Sequence, residues 1–190
     1  MDSPLCVGFL KSVPSQERLD GLVKLINGVY DVAESGMWKV KGFRTDTEEV
    51  RKLIEDGRLI VASHAVDDDE DEHKNIIGCV KVERIVQEDC GEFGMLVVDE
   101  KCRTNGVGGK LVKAAEEWAA REGFTNMQLE LLTPRTWKHP SKEFNRGWYT
   151  RLGYKALKTE PFEKGFAHLT QLLATTCDFT VYRKPLKSPL

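Results

Sequence analysis

The sequence predicts a mixed α/β fold, an α+β arrangement around one mixed sheet, as a single domain over residues 1–190. Three observations lead there. Segments of two-residue apolar alternation and segments of helical spacing follow one another without regular alternation, which excludes a purely parallel sheet. The chain has 190 residues, 41% hydrophobic and 31% charged, enough for one buried core. No internal repeat and no linker-like stretch divides it.

Residues 5–13 read as a strand closed by Pro14. In residues 16–35 the apolar set Leu19, Leu22, Val23, Ile26, Val29, Tyr30 and Ala33 has helical spacing, and Gly36 ends it. A second helix is expected from Thr45. Thr45 and Glu48 have the spacing of a capping box, Val50, Leu53 and Ile54 form its buried face, and Gly57 stops it. Residues 59–65 and 75–86 read as strands. Between them Asp67 to Glu72 is a block of six acids, expected as a solvated hairpin loop. It lacks the Gly and the terminal Glu spacing of an EF-hand.

Residues 92–98 form the next strand, ending in the apolar run Met95, Leu96, Val97 and Val98. A polar connection over 99–105 leads into a helix over 106–122, with Leu111, Ala115, Trp118 and Ala119 on one face and Gly123 past its end. Residues 125–132 are a fifth strand. Ser141 is placed to cap a helix through Leu152, which Gly153 ends. Two closing strands are expected over 154–162 and 179–182, joined by a long connection with a helical piece over 167–174.

The formal charge of -2 gives no electrostatic hold on a nucleic-acid backbone. The five cysteines are scattered without a C-x-x-C pair, so neither a disulfide framework nor a zinc site is expected. Nothing approaches the roughly 18 apolar residues of a membrane helix, and the first residues lack a basic n-region. A soluble, cytoplasmic protein is the expectation.

The chemistry concentrates in Arg103, Thr104, Asn105, Gly106, Val107, Gly108, Gly109 and Lys110, directly after an apolar strand and opening a helix. Amides at a helix start lack intrahelical partners and carry the positive end of the helix dipole. Glycine lets an anion approach that backbone closely, and Arg103 can add a charge-assisted contact. An anion such as a pyrophosphate is implied. A Walker A loop would need Gly at Thr104 and Ser or Thr at Leu111. A dinucleotide-binding loop would need G-x-G-x-x-G in a βαβ unit. Neither pattern is present. A glycine-softened helix start without ligand is the bland alternative.

Arg-x-x-Gly-x-Gly at Arg103, Gly106 and Gly108 resembles the acetyl-CoA signature of the GNAT N-acetyltransferases. Trp148-Tyr149-Thr150-Arg151-Leu152-Gly153-Tyr154 resembles the aromatic-Tyr-x-x-x-Gly-aromatic signature of that family's last helix and following strand. The element order agrees across nearly the whole chain, which is similar to small fungal-type members. The resemblance implies the GNAT acyl-CoA N-acyltransferase fold, acetyl-CoA as donor without a metal, and an amine acceptor as the other partner. A homodimer is left open. It further implies that residues 103–110 hold the coenzyme and that the backbone around Leu96, Val97 and Val98 is splayed from its neighbour to meet the thioester. The sequence departs from the family at Lys142, where an Asn is often found; Asn145 lies out of register.

Acetylating an amine requires that the amine lose a proton and that charge on the carbonyl oxygen be stabilised. The leaving thiolate is best protonated. Tyr149 matches the family's tyrosine at the coenzyme sulfur; a core aromatic is its bland alternative. Glu92, at a strand end, is the candidate base, against an exposed strand-end acid. Glu130 is a second candidate, as base or as a group that binds the amine; His139 and His168 are loop candidates. In the family the acceptor site is shaped by the connections that are here residues 36–45 and 163–178. They offer Trp38, Phe43, Arg44 and His168, although plain surface loops would explain the same residues. The expectation is a small-molecule N-acetyltransferase. A protein or peptide N-acetyltransferase, with an open groove in place of a closed pocket, is the first alternative. A non-catalytic acyl-CoA sensor is the second.

Overall fold

The computed structural model describes residues 4–64 and 76–186. Among the described residues seven strands form one sheet: β1 Leu5–Phe9, β2 Leu59–His64, β3 Ile76–Ile85, β4 Cys90–Val98, β5 Asn126–Pro134, β6 Lys155–Pro161 and β7 Cys177–Pro185. Their order is β1-β2-β3-β4-β5-β7-β6, and every neighbouring pair is antiparallel except β4 and β5. The helices are α1 Gln16–Ala33, α2 Thr47–Glu55, α3 Val107–Arg121, α4 Pro140–Arg151 and the single turn α5 Phe162–Gly165. The mixed sheet and the element order are those expected. The acidic block at 67–72 lies outside the described residues.

Two cores sandwich the sheet. One face carries Ile60, Val80, Val82, Phe93 and Leu129 against Leu111, Ala115 and Ala119 of α3 and Tyr149 of α4. The other carries Leu59, Val61, Cys79, Met95 and Val97 against Leu19, Leu22 and Ile26 of α1 and Val50 and Leu53 of α2. Each fully buried aliphatic side chain contributes about 1.5–3 kcal/mol. A third, smaller cluster gathers Met37, Leu132, Phe162, Leu173 and Cys177 at one end of the sheet.

Several boundaries differ from expectation. β1 stops at Phe9, where its pairing with β2 ends. The cap of α2 is Asp46 rather than Thr45: its carboxylate accepts from the Glu49 amide at 2.8 Å, while the Thr45 hydroxyl donates to the Glu49 side chain at 2.7 Å. The cap of α4 is His139 rather than Ser141, because Nδ1 accepts from the Ser141 amide at 3.2 Å and Pro140 takes the first helical position. β7 runs well beyond residues 179–182, since it pairs with β5 on one side and β6 on the other.

The decisive irregularity is in β4. Its parallel pairing with β5 covers only Cys90↔Asn126 to Glu92↔Gln128, and the strands then part. Just beyond, Met95 has φ 49°, and the β3–β4 register slips between Cys79 and Lys81. The extra residue reverses the side-chain alternation. Phe93 packs toward α3, whereas Met95 and Val97 pack toward α1 and α2. The outer half of β4 thereby presents its backbone to the gap without a strand partner on that side.

Candidate active site

A cavity of about 530 Å³ occupies the gap between β4 and β5. Its sides include Glu92 and Leu96 of β4, Glu130 of β5, Tyr30 and Asp31 of α1, Glu34 just past α1, and Lys142 and Tyr149 of α4. Trp38, Phe43 and Arg44 of the α1–α2 connection and Phe166 and Leu169 of the segment between β6 and β7 also line it. The two segments are stitched by a bridge between Trp38 and Leu173. The Lys39 amide donates to Leu172 O and the Ala174 amide to Met37 O, both at 2.9 Å. Trp38 meets Phe43 and Phe162 edge-on, with centroids 5.1 and 5.7 Å apart.

Charges inside are mostly paired. Lys142 and Glu34 form a buried ion pair at 2.5 Å, their side chains 6% and 10% exposed, and the Trp38 indole also donates to Glu34 at 2.6 Å. Lys81 pairs with Glu83 at 2.6 Å, and Arg58 binds the same carboxylate. Glu92, opposite Glu83 in the ladder, accepts from the Gln128 side-chain amide at 2.7 Å. Gln128 in turn accepts from Arg183 Nε at 3.2 Å. Burial, and after it the nearby Glu92, raises the Glu130 carboxyl above its ordinary pKa. Tyr149 is 7% exposed, and burial followed by the neighbouring Tyr30 pushes its hydroxyl well up, so it stays protonated through neutral pH. Among the described residues that hydroxyl has no hydrogen-bond partner.

At the head of α3, Asp99 caps a 3₁₀ turn over Glu100–Asn105 by accepting from the Lys101 amide. Gly106 then adopts φ 72°, a left-handed conformation that favours glycine. Lys110 N donates to Gly106 O at 3.2 Å, so the amides of Val107, Gly108 and Gly109 lie ahead of the helical ladder. A Cβ at Gly109 would meet nothing within 4 Å, and one at Gly108 only ordinary contacts, 3.5 Å from Trp148. The protein's own packing therefore does not demand glycine there, although each costs about 0.5–1 kcal/mol against alanine in a helix. Arg103, Asn105 and Lys110 are exposed around this turn. Thr104 lies in the same turn.

Of the residues singled out from sequence, Tyr149, Glu92, Leu96, Trp38, Phe43, Arg44 and Glu130 meet in the cavity. The side chains of Val97 and Val98 face the two cores. His168 is exposed and is not part of the cavity wall. His139 is structural: Nε2 donates to Ser35 O at 3.1 Å, and burial, then Lys142, lowers its pKa. Burial pushes the Cys90 thiol up to about 11, which does not suit a nucleophilic thiolate. Among the described residues no His/Cys/Asp/Glu cluster is arranged for a metal, and no helix is long and apolar enough to cross a membrane. Sequence reasoning missed the cavity roles of Tyr30, Glu34 and Lys81. No local motif marks them, and Lys142 finds Glu34 across 108 positions.

The model of the acetyltransferase (GNAT) family matches residues 27–154. The chain belongs to that family. No curated protein matches it. Among solved structures, an aminoglycoside 6'-N-acetyltransferase complexed with coenzyme A aligns with a TM-score of 0.67 at 17% identity, covering 97% of this chain and 99% of that one. NAA60 of Arabidopsis thaliana, in complex with a bisubstrate analogue, aligns at 0.66 and 12% identity over 98% of this chain and 100% of its own. An N-acetyltransferase from Staphylococcus aureus Mu50 gives 0.65 and 14% over 97% and 100%. At these identities the likeness is one of fold, and that fold is the GNAT fold, with general acetyl-CoA-dependent acetyl transfer as the family's activity.

Proposed function

We propose that this GNAT protein transfers the acetyl group of acetyl-CoA directly to a primary amine of a small molecule, both substrates being bound together, in the cytoplasm. The observation that carries the small-molecule reading is the tie between the two connections that line the cavity. Main-chain hydrogen bonds at Trp38 and Leu173 hold them to each other, which favours a bounded pocket, where a peptide acceptor would need an open groove. The cavity's volume also lies within the range of small-molecule sites.

The donor fits the other side. The unpaired outer backbone of β4 around Leu96, Val97 and Val98 suits an extended amide-bearing chain and a thioester oxygen. The amides of Gly106 to Gly109, with Arg103 and Lys110 nearby and Thr104 and Asn105 in the same turn, suit a pyrophosphate. When bound, acetyl-CoA supplies an activated acyl thioester. Gln128 holds one oxygen of Glu92 and leaves the other to take a proton from an ammonium, directly or through water. Glu130 adds negative charge that favours an ammonium in the same place. Tyr149 lines the cavity, keeps its proton and has its hydroxyl unengaged, so it is available to donate a hydrogen bond to the coenzyme sulfur. Its high pKa makes it a stabiliser of a departing thiolate rather than a strong acid.

The test is calorimetry with acetyl-CoA, followed by thiol release against matched panels of small amines and short peptides. Turnover of small amines is expected; turnover confined to peptides would overturn the acceptor assignment. Tight donor binding without turnover of any amine would make the protein a sensor.

A further inference from the structure

We infer that the acceptor carries a carboxylate beside its amine and that Arg44 is the residue that holds it, an inference that rests on reading the cavity as an acetyl-acceptor site. Arg44 projects from the α1–α2 connection into the cavity, half-buried, with its guanidinium 4.9 Å from the centroid of the Tyr30 ring. The backbone beside it is pinned. Asn27 accepts from the Thr45 amide and donates to the Thr45 carbonyl, both at 3.0 Å. The guanidinium is thus held in place before any ligand arrives.

Its charge is what distinguishes it. The other buried or half-buried cations of the cavity, Lys142 and Lys81, each have a carboxylate in contact. Among the described residues Arg44 has none within ion-pair distance. The acids that act on it from farther away are already engaged. Glu49 accepts from the Thr45 hydroxyl, and both oxygens of Glu34 are used by Lys142 and Trp38. A partly desolvated cation without a counter-ion is costly unless something else supplies one. A guanidinium fork matches a carboxylate through two parallel hydrogen bonds.

The complementary charge lies in the same chamber. Glu92 is paired only with a neutral amide, and Glu130 has no cation within ion-pair distance among the described residues. Lys81 links the two ends. Its ammonium is disfavoured by burial, then by Arg44 and Arg58, and favoured by Glu49 and Glu92. One cavity therefore offers an unneutralised cation and, apart from it, unneutralised carboxylates, with aromatic walls at Trp38, Phe43 and Phe166. That pattern fits a zwitterion, an amino acid or similar aminocarboxylate with an apolar body. A diamine would bring a second positive charge against Arg44.

The experiment uses the full chain with acetyl-CoA and, as acceptors, the proteinogenic L-amino acids and their primary amides. Thiol release and saturation-transfer NMR binding are both measured. The amide keeps the amine and side chain, loses the negative charge, and has the more readily deprotonated amine, so a preference for the acid is not an effect of amine basicity. The best acid is expected to exceed its amide by about 100-fold or more in kcat/KM, as for sites built around a buried charged group. Arg44→Met should bring that ratio close to one, with Arg44→Lys in between and acetyl-CoA affinity retained in both. Amides turned over as well as acids by the wild type would overturn the inference and leave the small-molecule reading standing. If no amine is turned over, that reading fails and NMR decides. Acids that bind the wild type and not Arg44→Met then support Arg44 as the carboxylate holder of a binding site in place of an acceptor site; absent or unaltered binding overturns the inference. Should both variants misfold, the wild-type ratio of acid to amide decides alone.

Discussion

On the side proposed for the donor, the strand edge and the glycine turn lie in one stretch of chain, residues 93–110, and are presented by the backbone. On the side proposed for the acceptor, Tyr30, Arg44, Glu130 and Lys142 come from four separate segments, and side chains carry the features. A backbone site tolerates many side chains but few changes of path. A side-chain site keeps its path and changes its preference with each substitution. The first arrangement suits a partner common to a whole family, the second a partner particular to one member.

The sharpest way to break this contrast is at the buried pair. Lys142→Met leaves the buried Glu34 carboxylate without its cation, held only by the Trp38 indole, and should lower stability by about 3–5 kcal/mol in denaturant titrations. Adding Glu34→Gln should recover most of it, and no recovery would mean that Lys142 serves packing rather than charge. Next comes Tyr149→Phe. Because its hydroxyl has no protein partner, unfolding should change little, while kcat should fall by about 100-fold, near 2.7 kcal/mol. A large loss of stability with activity kept would place that hydroxyl in the fold instead.

Smaller effects test the donor side. Gly108→Ala and Gly109→Ala should each raise stability, by up to about 1 kcal/mol, because space is available and alanine favours the helix. Acetyl-CoA affinity measured by calorimetry should fall in both. Unchanged affinity would move the anion site away from this turn. The smallest effect is at Glu130. Below the ordinary carboxyl value of 4.5 both states are protonated and the group contributes nothing. As pH rises through that value the unfolded chain ionises first, so stability falls until the higher folded pKa is passed, and the deficit is then constant. Glu130→Gln should remove this decline from the pH dependence of the melting temperature; an unchanged profile would locate the penalty elsewhere.

The same contrast explains what could be read in advance. The glycine turn and the helix start behind it were legible because the glycines and the helical spacing are consecutive. The element order was legible because apolar spacing is local. The caps slipped, Asp46 for Thr45 and His139 for Ser141, because several capable side chains stand in a row and only backbone geometry chooses among them. The reversal at Met95 was hidden in four apolar residues running together, since a wholly apolar run shows no alternation to lose. The Lys142–Glu34 pair and the solitary charge of Arg44 depend on what lies across the cavity. Segment-by-segment reading has no access to that.

The tie between the α1–α2 connection and the segment before β7 also bears on the order of assembly. Lys39 reaches Gln171 across 132 positions of sequence, and loops of that length close only after local structure has formed. The glycine turn is complete as soon as α3 winds onto the preceding turn. As the chain is synthesised, the place proposed for the donor takes shape first, and the chamber proposed for the acceptor is completed only when the last strands arrive.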